Sequence, residues 1–202
     1  IASDSATMQN SGSVSASRMT FMSGNAIRGA AEVALRKWKA EERPAVGEYK
    51  YLAPRTTQFD HETGYSTPNF AYAFAAQAVE VEVDVETGHI KPIKMLHIQD
   101  GGLPLNRLTL ESQINGGMIQ SLGMALWEGR VMDEGLGMQV NPGFGDYKIP
   151  GTLEIPEMIP LIDDEDKREA VIGIAEGCII PSLGAIVNAV FNACGLRVRE
   201  LP

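Results

Sequence analysis

The sequence predicts an α+β fold, and three patterns predict it. Val79, Val81, Val83 and Val85 alternate with Glu80, Glu82 and Asp84, the period of a half-buried strand. Ile114, Met118, Leu122 and Leu126 recur every four residues, the apolar stripe of a helix. Helical and extended stretches follow one another without strict alternation, which sets the chain apart from doubly wound parallel sheets. Its 202 residues suffice for one domain with a real core, or two small ones.

Residues 1–5 read as the end of a strand rather than a natural start, and there is no initiator Met. Residues 8–18, MQNSGSVSASR, are small and hydroxylated. They lead into a helix expected from about Met19 to Ala40, with Met22, Ala26, Ala30, Val33 and Ala34 on its core face. Such a loop is either an ordinary N-cap with extra serines or an anion site, because unpaired N–H groups and the helix dipole favour negative charge. Residues 41–47 form a linker broken by Pro44, and a subdivision of the chain is expected near 41–69. Residues 49–65 have no clear period and read as loop. The strand expected within 70–85 turns at Glu86-Thr87-Gly88 and returns over Ile90–Ile98, where Pro92 marks an edge or a bulge. Its acidic face reads as solvated surface.

The stretch Asp100–Glu128 opens as a glycine turn and becomes the central helix. Gly116 and Gly117 lie in its interior, where each costs about 1 kcal/mol relative to Ala, so close approach by a backbone or a bulky ligand is expected. Gln113 and Gln120 lie one heptad apart beside that notch. They either offer amides to a planar polar ligand or are solvated glutamines beside a helix-packing site. Residues 129–137 read as a glycine-containing hairpin or loop, Asp146 as a turn residue and Asp163–Glu169 as a charged loop. Pro181 opens a last helix with Leu183, Ile186, Val187, Val190 and Cys194 facing inward, and Gly195 stops it.

Composition excludes several function classes. A net charge of −9 argues against a polyanion partner, which needs clustered Lys and Arg. Two cysteines cannot hold a four-cysteine zinc site or iron–sulfur cluster, and a reduced cytoplasmic protein is the simplest reading. There is no run of 18 apolar residues to span a membrane and no signal-peptide pattern. Neither a dinucleotide glycine fingerprint nor a P-loop is present. His61, His89 and His97 have no metal spacing, and no function attaches to them. Glu176 stands out as a carboxylate in the apolar run AVIGIAEGCII. Desolvated there, it is either a general base with a raised pKa or a structural hydrogen-bond acceptor. Cys178 has no cationic neighbour in sequence and reads as core.

The order of the pieces is more specific than any one of them. ASRMTFMSGNA is followed by FAYAFAAQAVEVEVDVETGHI, then DGGLPLNRLTLESQINGGMIQSLGMALWE, DYKIP and GIAEGCIIP. In this order nearly the whole chain resembles the C-terminal part of the molybdopterin-binding subunit of the xanthine dehydrogenase and aldehyde oxidase family. The resemblance implies the C-terminal portion of that family's molybdopterin-binding domain. It implies that Ser13, Val14, Ser15, Ala16, Ser17 and Arg18 contact the pterin or its phosphate, that Gln113 and more weakly Gln120 lie near the cofactor, and that Glu176 is the catalytic base. The dithiolene of the cofactor, not a protein side chain, would hold the molybdenum.

The activity implied is hydroxylation of an aldehyde or an N-heterocycle such as a purine, with water as oxygen source and Glu176 taking up the proton. Iron–sulfur clusters, and often a flavin (FAD), would sit on partner chains. Here Ile172 stands where the family commonly has a basic residue, Ala175 replaces the second glycine of some members, and Gly177-Cys178 replaces a proline-containing pair. Asn106-Arg107 replaces the asparagine–proline of the glycine turn. These departures keep two alternatives open: a non-catalytic cofactor-binding or assembly subunit, and a reductive relative acting on an aromatic thioester. The family's front half is absent, so the chain is expected to work as one subunit of a split enzyme or as part of a longer chain, beside another molybdopterin-domain chain, an iron–sulfur subunit and a small-molecule substrate. Its faces toward the missing half are expected to be apolar.

Overall fold

A computed structural model describes residues 6, 12–163 and 170–202. The readings of residues 1–5, of 8–11 in the serine loop and of 164–169 in the charged loop lie outside the described residues. The chain is α+β and divides into two compact units, Ile1–Tyr72 with Val171–Gly173, and Ala73–Ala170 with Ile174–Pro202.

In the first unit, helix α1 runs Arg18–Lys39. Met22, Ala26, Ala30, Val33 and Ala34 form its half-buried face, as their spacing predicts. Gly29 is the buried residue on that helix, and the ring of Tyr49 lies against it. Phe21 packs edge-on to Tyr51 and against Phe70, at ring separations of 5.7 and 4.9 Å. These contacts fasten the irregular 45–72 segment to α1, where no strand or helix does so.

The second unit is built on a three-stranded sheet whose central strand is the second in the chain. Strands β1 (Ala75–Val83) and β2 (Ile90–Gln99) are antiparallel, and β5 (Glu157–Ile162) is parallel to β2. Val79, Val81 and Val83 are half-buried and Glu80 and Glu82 exposed. Asp84 accepts bonds from the Glu86 and Thr87 N–H groups at the turn. Pro92 stands opposite Val81, next to the irregularity between Glu80 and Val81, so a bulge is present. An edge is not: β2 is the central strand. Proline is tolerated because β5 pairs with β2 only from Lys94 onward, leaving Pro92 beyond that ladder.

Helix α2 (Arg107–Leu126) starts at Asn106, whose side chain accepts the Thr109 N–H at 3.1 Å. Ile114, Met118 and Leu122 are fully buried and Leu126 packs beside them, so the stripe is the core. They meet Met95 of β2, Ile162 of β5, and Ile174 and Cys178 of the segment leading to the last helix. The hairpin expected at 129–137 exists as β3 (Met132–Asp133) and β4 (Met138–Gln139), and Asp146 lies in a turn. Helix α3 (Ile180–Cys194) carries Pro181 in its first turn and ends on Gly195 in the left-handed region. By length and composition alone, 175–194 could cross a membrane. In the fold Ser182, Ile186 and Val190 are buried and the helix packs on β1 and α2. Cys194 is exposed, not inward, because the packed stripe ends one turn earlier at Val190.

The two central glycines differ. A Cβ on Gly117 would stand 2.5 Å from the Cβ of Cys178 and 3.3 Å from its backbone carbon, which is the close approach the sequence predicts. Gly116 is exposed and a Cβ there meets nothing, which corrects that half of the expectation. In urea unfolding of the cofactor-free protein, Gly116→Ala is expected to stabilise by up to about 1 kcal/mol through helix propensity. Gly117→Ala is expected to destabilise, because displacing Cys178 costs about 1–3 kcal/mol of overpacking.

Candidate functional site

The first unit contributes a tight turn. The Arg18 N–H donates to the Ser15 carbonyl at 2.8 Å, and the two residues between, Ala16 and Ser17, have φ of 47° and 60°. Holding a non-glycine residue in the left-handed region costs on the order of 1–2 kcal/mol. Such strain gathers at ligand clamps and needs surrounding structure to hold it. Part of the hold comes from Gly173: a Cβ there would collide with the Ala16 carbonyl oxygen, so glycine lets the 171–173 segment lie against the turn. The Arg18 guanidinium donates to the Ser13 carbonyl at 3.1 Å and closes the loop from the other side.

Ahead of Arg18, the turn leaves its backbone donors unspent among the described residues. Among the described residues, the N–H groups of Ser13, Val14, Ser15, Ala16 and Ser17 have no acceptor. Ser17 stands at the N-cap of α1, yet its side chain makes no capping bond, so the ordinary N-cap reading does not describe it. Ser13 and Ser15 are exposed. Five backbone donors, three hydroxyls, a guanidinium and a helix N-terminus suit a polar, anionic ligand.

In the second unit, Ala175–Cys178 form a single 3-10 turn just before α3. Ile174 and Cys178 point into the core. Glu176, two residues from each, is exposed, and its carboxylate has no partner among the described residues. The expectation of a desolvated carboxylate is therefore corrected for this chain. Ile174 and Cys178 are buried by turning inward, and that same turn sends Glu176 outward. Gln113 and Gln120 are also exposed, on the face of α2 that borders the buried Gly117. Among the described residues, no three His, Cys, Asp or Glu side chains gather into a metal site.

Sequence reasoning missed the polar layer beneath the Glu176 turn. His97, Gln99 and Ser182 are fully or almost fully buried. His97 Nε2 lies 3.0 Å from Gln99 Oε1 and Nδ1 lies 3.2 Å from Gln77 Oε1. Burial holds the His97 imidazole below its usual pKa, opposed by the Gln99 bond. The available signal was that His97 and Gln99 share the strand face of Met95.

A family model described as a molybdopterin cofactor-binding domain matches residues 38–156. The aldehyde oxidoreductase of Megalodesulfovibrio gigas is 32% identical over 219 residues, covering 98% of this chain and 23% of that protein. The xanthine dehydrogenase molybdenum-binding subunit of Escherichia coli O157:H7 is 31% identical over 155 residues, covering 75% of this chain and 21% of that protein. The crystal structure of the aldehyde oxidoreductase from Desulfovibrio gigas superposes with a TM-score of 0.79 at 29% identity, over 98% of this chain and 23% of that one. The chain thus spans between a fifth and a quarter of the length of these relatives.

Cys178 supplies a test of the packing around the turn. Burial pushes its thiol from an ordinary 9.0 up to about 11. A raised folded-state pKa contributes stability that is fully present below pH 9 and lost as pH rises toward 11, because the unfolded thiol ionises first. Unfolding free energy is expected to fall across that window. At pH 8 a thiol reagent should label exposed Cys194 quickly and Cys178 only on unfolding.

Proposed function

The chain belongs to the molybdopterin cofactor-binding domain family, and from that premise we propose that it forms part of the cofactor cradle of a molybdenum hydroxylase and carries its proton-accepting carboxylate. The observation that carries the cradle reading is the Ser15–Arg18 turn. It holds two non-glycine residues in the left-handed region and leaves five N–H groups without acceptors among the described residues. The donor set fits the group: the N–H groups and hydroxyls of 13–17 suit a phosphate or pterin edge, and Arg18 adds positive charge. Gln113 and Gln120, exposed on α2, would offer amides to the polar edge of the pterin. When bound, the molybdenum cofactor supplies the redox chemistry that the side chains of this chain lack.

Glu176 is the residue proposed to take up the proton released as water-derived oxygen passes to an aldehyde or N-heterocycle. A carboxylate works as a base near neutrality when it is desolvated. Among the described residues nothing covers Glu176, so in this proposal the cover comes from cofactor, substrate and the remainder of the enzyme. Partner chains bearing another molybdopterin-binding part, iron–sulfur clusters and a flavin belong to the same proposal, as does a cytoplasmic location. The second reading, a cofactor-binding or assembly subunit without chemistry of its own, is favoured by the exposed and unpartnered state of the Glu176 carboxylate.

In the assembled, molybdenum-loaded complex, Glu176→Gln is expected to lower hydroxylation by about 10²–10⁴-fold. Molybdenum content should not change. An unchanged rate removes the catalytic assignment and leaves the second reading. Gly173→Ala is expected to push the Ala16 carbonyl out of place and to lower molybdopterin occupancy, assayed by molybdenum and pterin analysis of the purified complex. Full occupancy there would remove the cradle role of the turn.

A further inference from the structure

We propose that Gln99 is a positioning residue for Glu176, acting through the Gly177-Cys178 end of the turn that carries it; this rests on the reading of Glu176 as the base. The turn is one 3-10 turn, and among the described residues the Glu176 side chain has no bond of its own. Its place is therefore set by what lies beneath Gly177 and Cys178. Gln99 Oε1 is 3.6 Å from Cys178 Sγ, and the amide end of Gln99 would lie 3.7 Å from a Cβ on Gly177. On the other side, Gly117 of α2 receives the Cys178 side chain. Cys178 is thus held between a helix backbone and an amide.

The amide is itself locked. Gln99 Nε2 donates to the Asp100 carbonyl at 3.0 Å and to the Phe74 carbonyl at 3.3 Å, so Oε1 is the end that faces the turn. Oε1 then accepts the Nε2–H of His97. A neutral imidazole has one N–H, so Nδ1 is a lone pair and requires a donor. Burial lowers the imidazole pKa and so disfavours the doubly protonated alternative. Gln77 meets Nδ1 with Oε1, while its own Nε2 is buried and unpaired. Turning the Gln77 amide by 180° gives Nδ1 its donor and leaves an acceptor, rather than a donor, unpaired. Ser182 Oγ, 2.6 Å from that amide, then accepts from it and is free to donate to the Cys178 carbonyl at 3.3 Å.

The result is a closed circuit, Gln99–His97–Gln77–Ser182, that begins at the sulfur of Cys178 and ends at its carbonyl. A site that needed only filling would be met by an aliphatic residue. Three buried polar side chains and the half-buried Gln77 cost desolvation, and a hydrogen-bonded circuit returns a single fixed geometry. That geometry is delivered to the backbone two residues from Glu176.

The test is Gln99→Met in the assembled, molybdenum-loaded complex, which keeps volume and removes the hydrogen bonds. The expected result is unchanged molybdenum content, KM within about twofold, and kcat lowered about 10–100-fold, the scale of a small misplacement of a reacting group. Hydrogen exchange should quicken at the amides of 175–179 and not along α2. Glu176→Gln is run beside it. If that variant is impaired while Gln99→Met retains its kcat, the positioning role is overturned and the reading of Glu176 stands. If Glu176→Gln is fully active, both fall. Loss of molybdenum or a raised KM in Gln99→Met makes Gln99 a structural residue and overturns the proposal. Should Gln99→Met not assemble, Gln77→Met opens the circuit at its far side, and an unchanged kcat there overturns the proposal equally.

Discussion

The approach of Cys178 to the backbone of α2 at Gly117 is the contact on which the second unit depends. It brings the segment before α3 against the helix whose other residues, Ile114, Met118 and Leu122, close the core on Met95 and Ile162. A side chain at 117 would hold the two apart and open a gap in a fully buried cluster, and gaps in such clusters cost stability in proportion to their volume. The same contact fixes where the single turn Ala175–Cys178 lies, so core packing and site geometry in this unit are one constraint.

Much of this was legible in the sequence because it follows from periodicity. The valine alternation gave β1, the four-residue spacing gave the buried face of α2, and Pro181 and Gly195 framed α3 within a residue. Gly117 was legible as a glycine that propensity alone does not favour. What was not legible depends on neighbours distant in the chain. Nothing local tells Gly116 from Gly117, since the difference is whether Cys178 arrives sixty residues later. Pro92 announced a bulge but also suggested an edge, because the parallel partner β5 that covers part of β2 is supplied from residues 157–162.

Glu176 shows the same limit in sharper form. An apolar setting in sequence was read as an apolar setting in space. In a one-turn segment the two differ, because the apolar residues are apolar in order to turn inward, and the residue between them is thereby turned out. The buried chemistry lay instead on β2, where His97 and Gln99 share a face with Met95. A strand of alternating pattern with two polar residues on its inner face was the available hint.

The two units spend energy on position in different ways. In the first, backbone strain at Ala16 and Ser17 is held by Gly173 and by Arg18, and the return is a row of donors with no acceptor among the described residues. In the second, buried polar side chains are desolvated to hold a turn whose carboxylate is likewise without a partner. Neither arrangement is favoured by the stability of this polypeptide alone. Under the proposed function each organises groups for something else: donors for an anionic ligand, and a carboxylate that becomes a base once it is covered. A protein under selection for folding alone would relax the left-handed turn with glycines and fill the floor of the Glu176 turn with aliphatic residues. That this chain does neither, in two separate units, is the physical argument for the proposal that both serve a bound group rather than the fold.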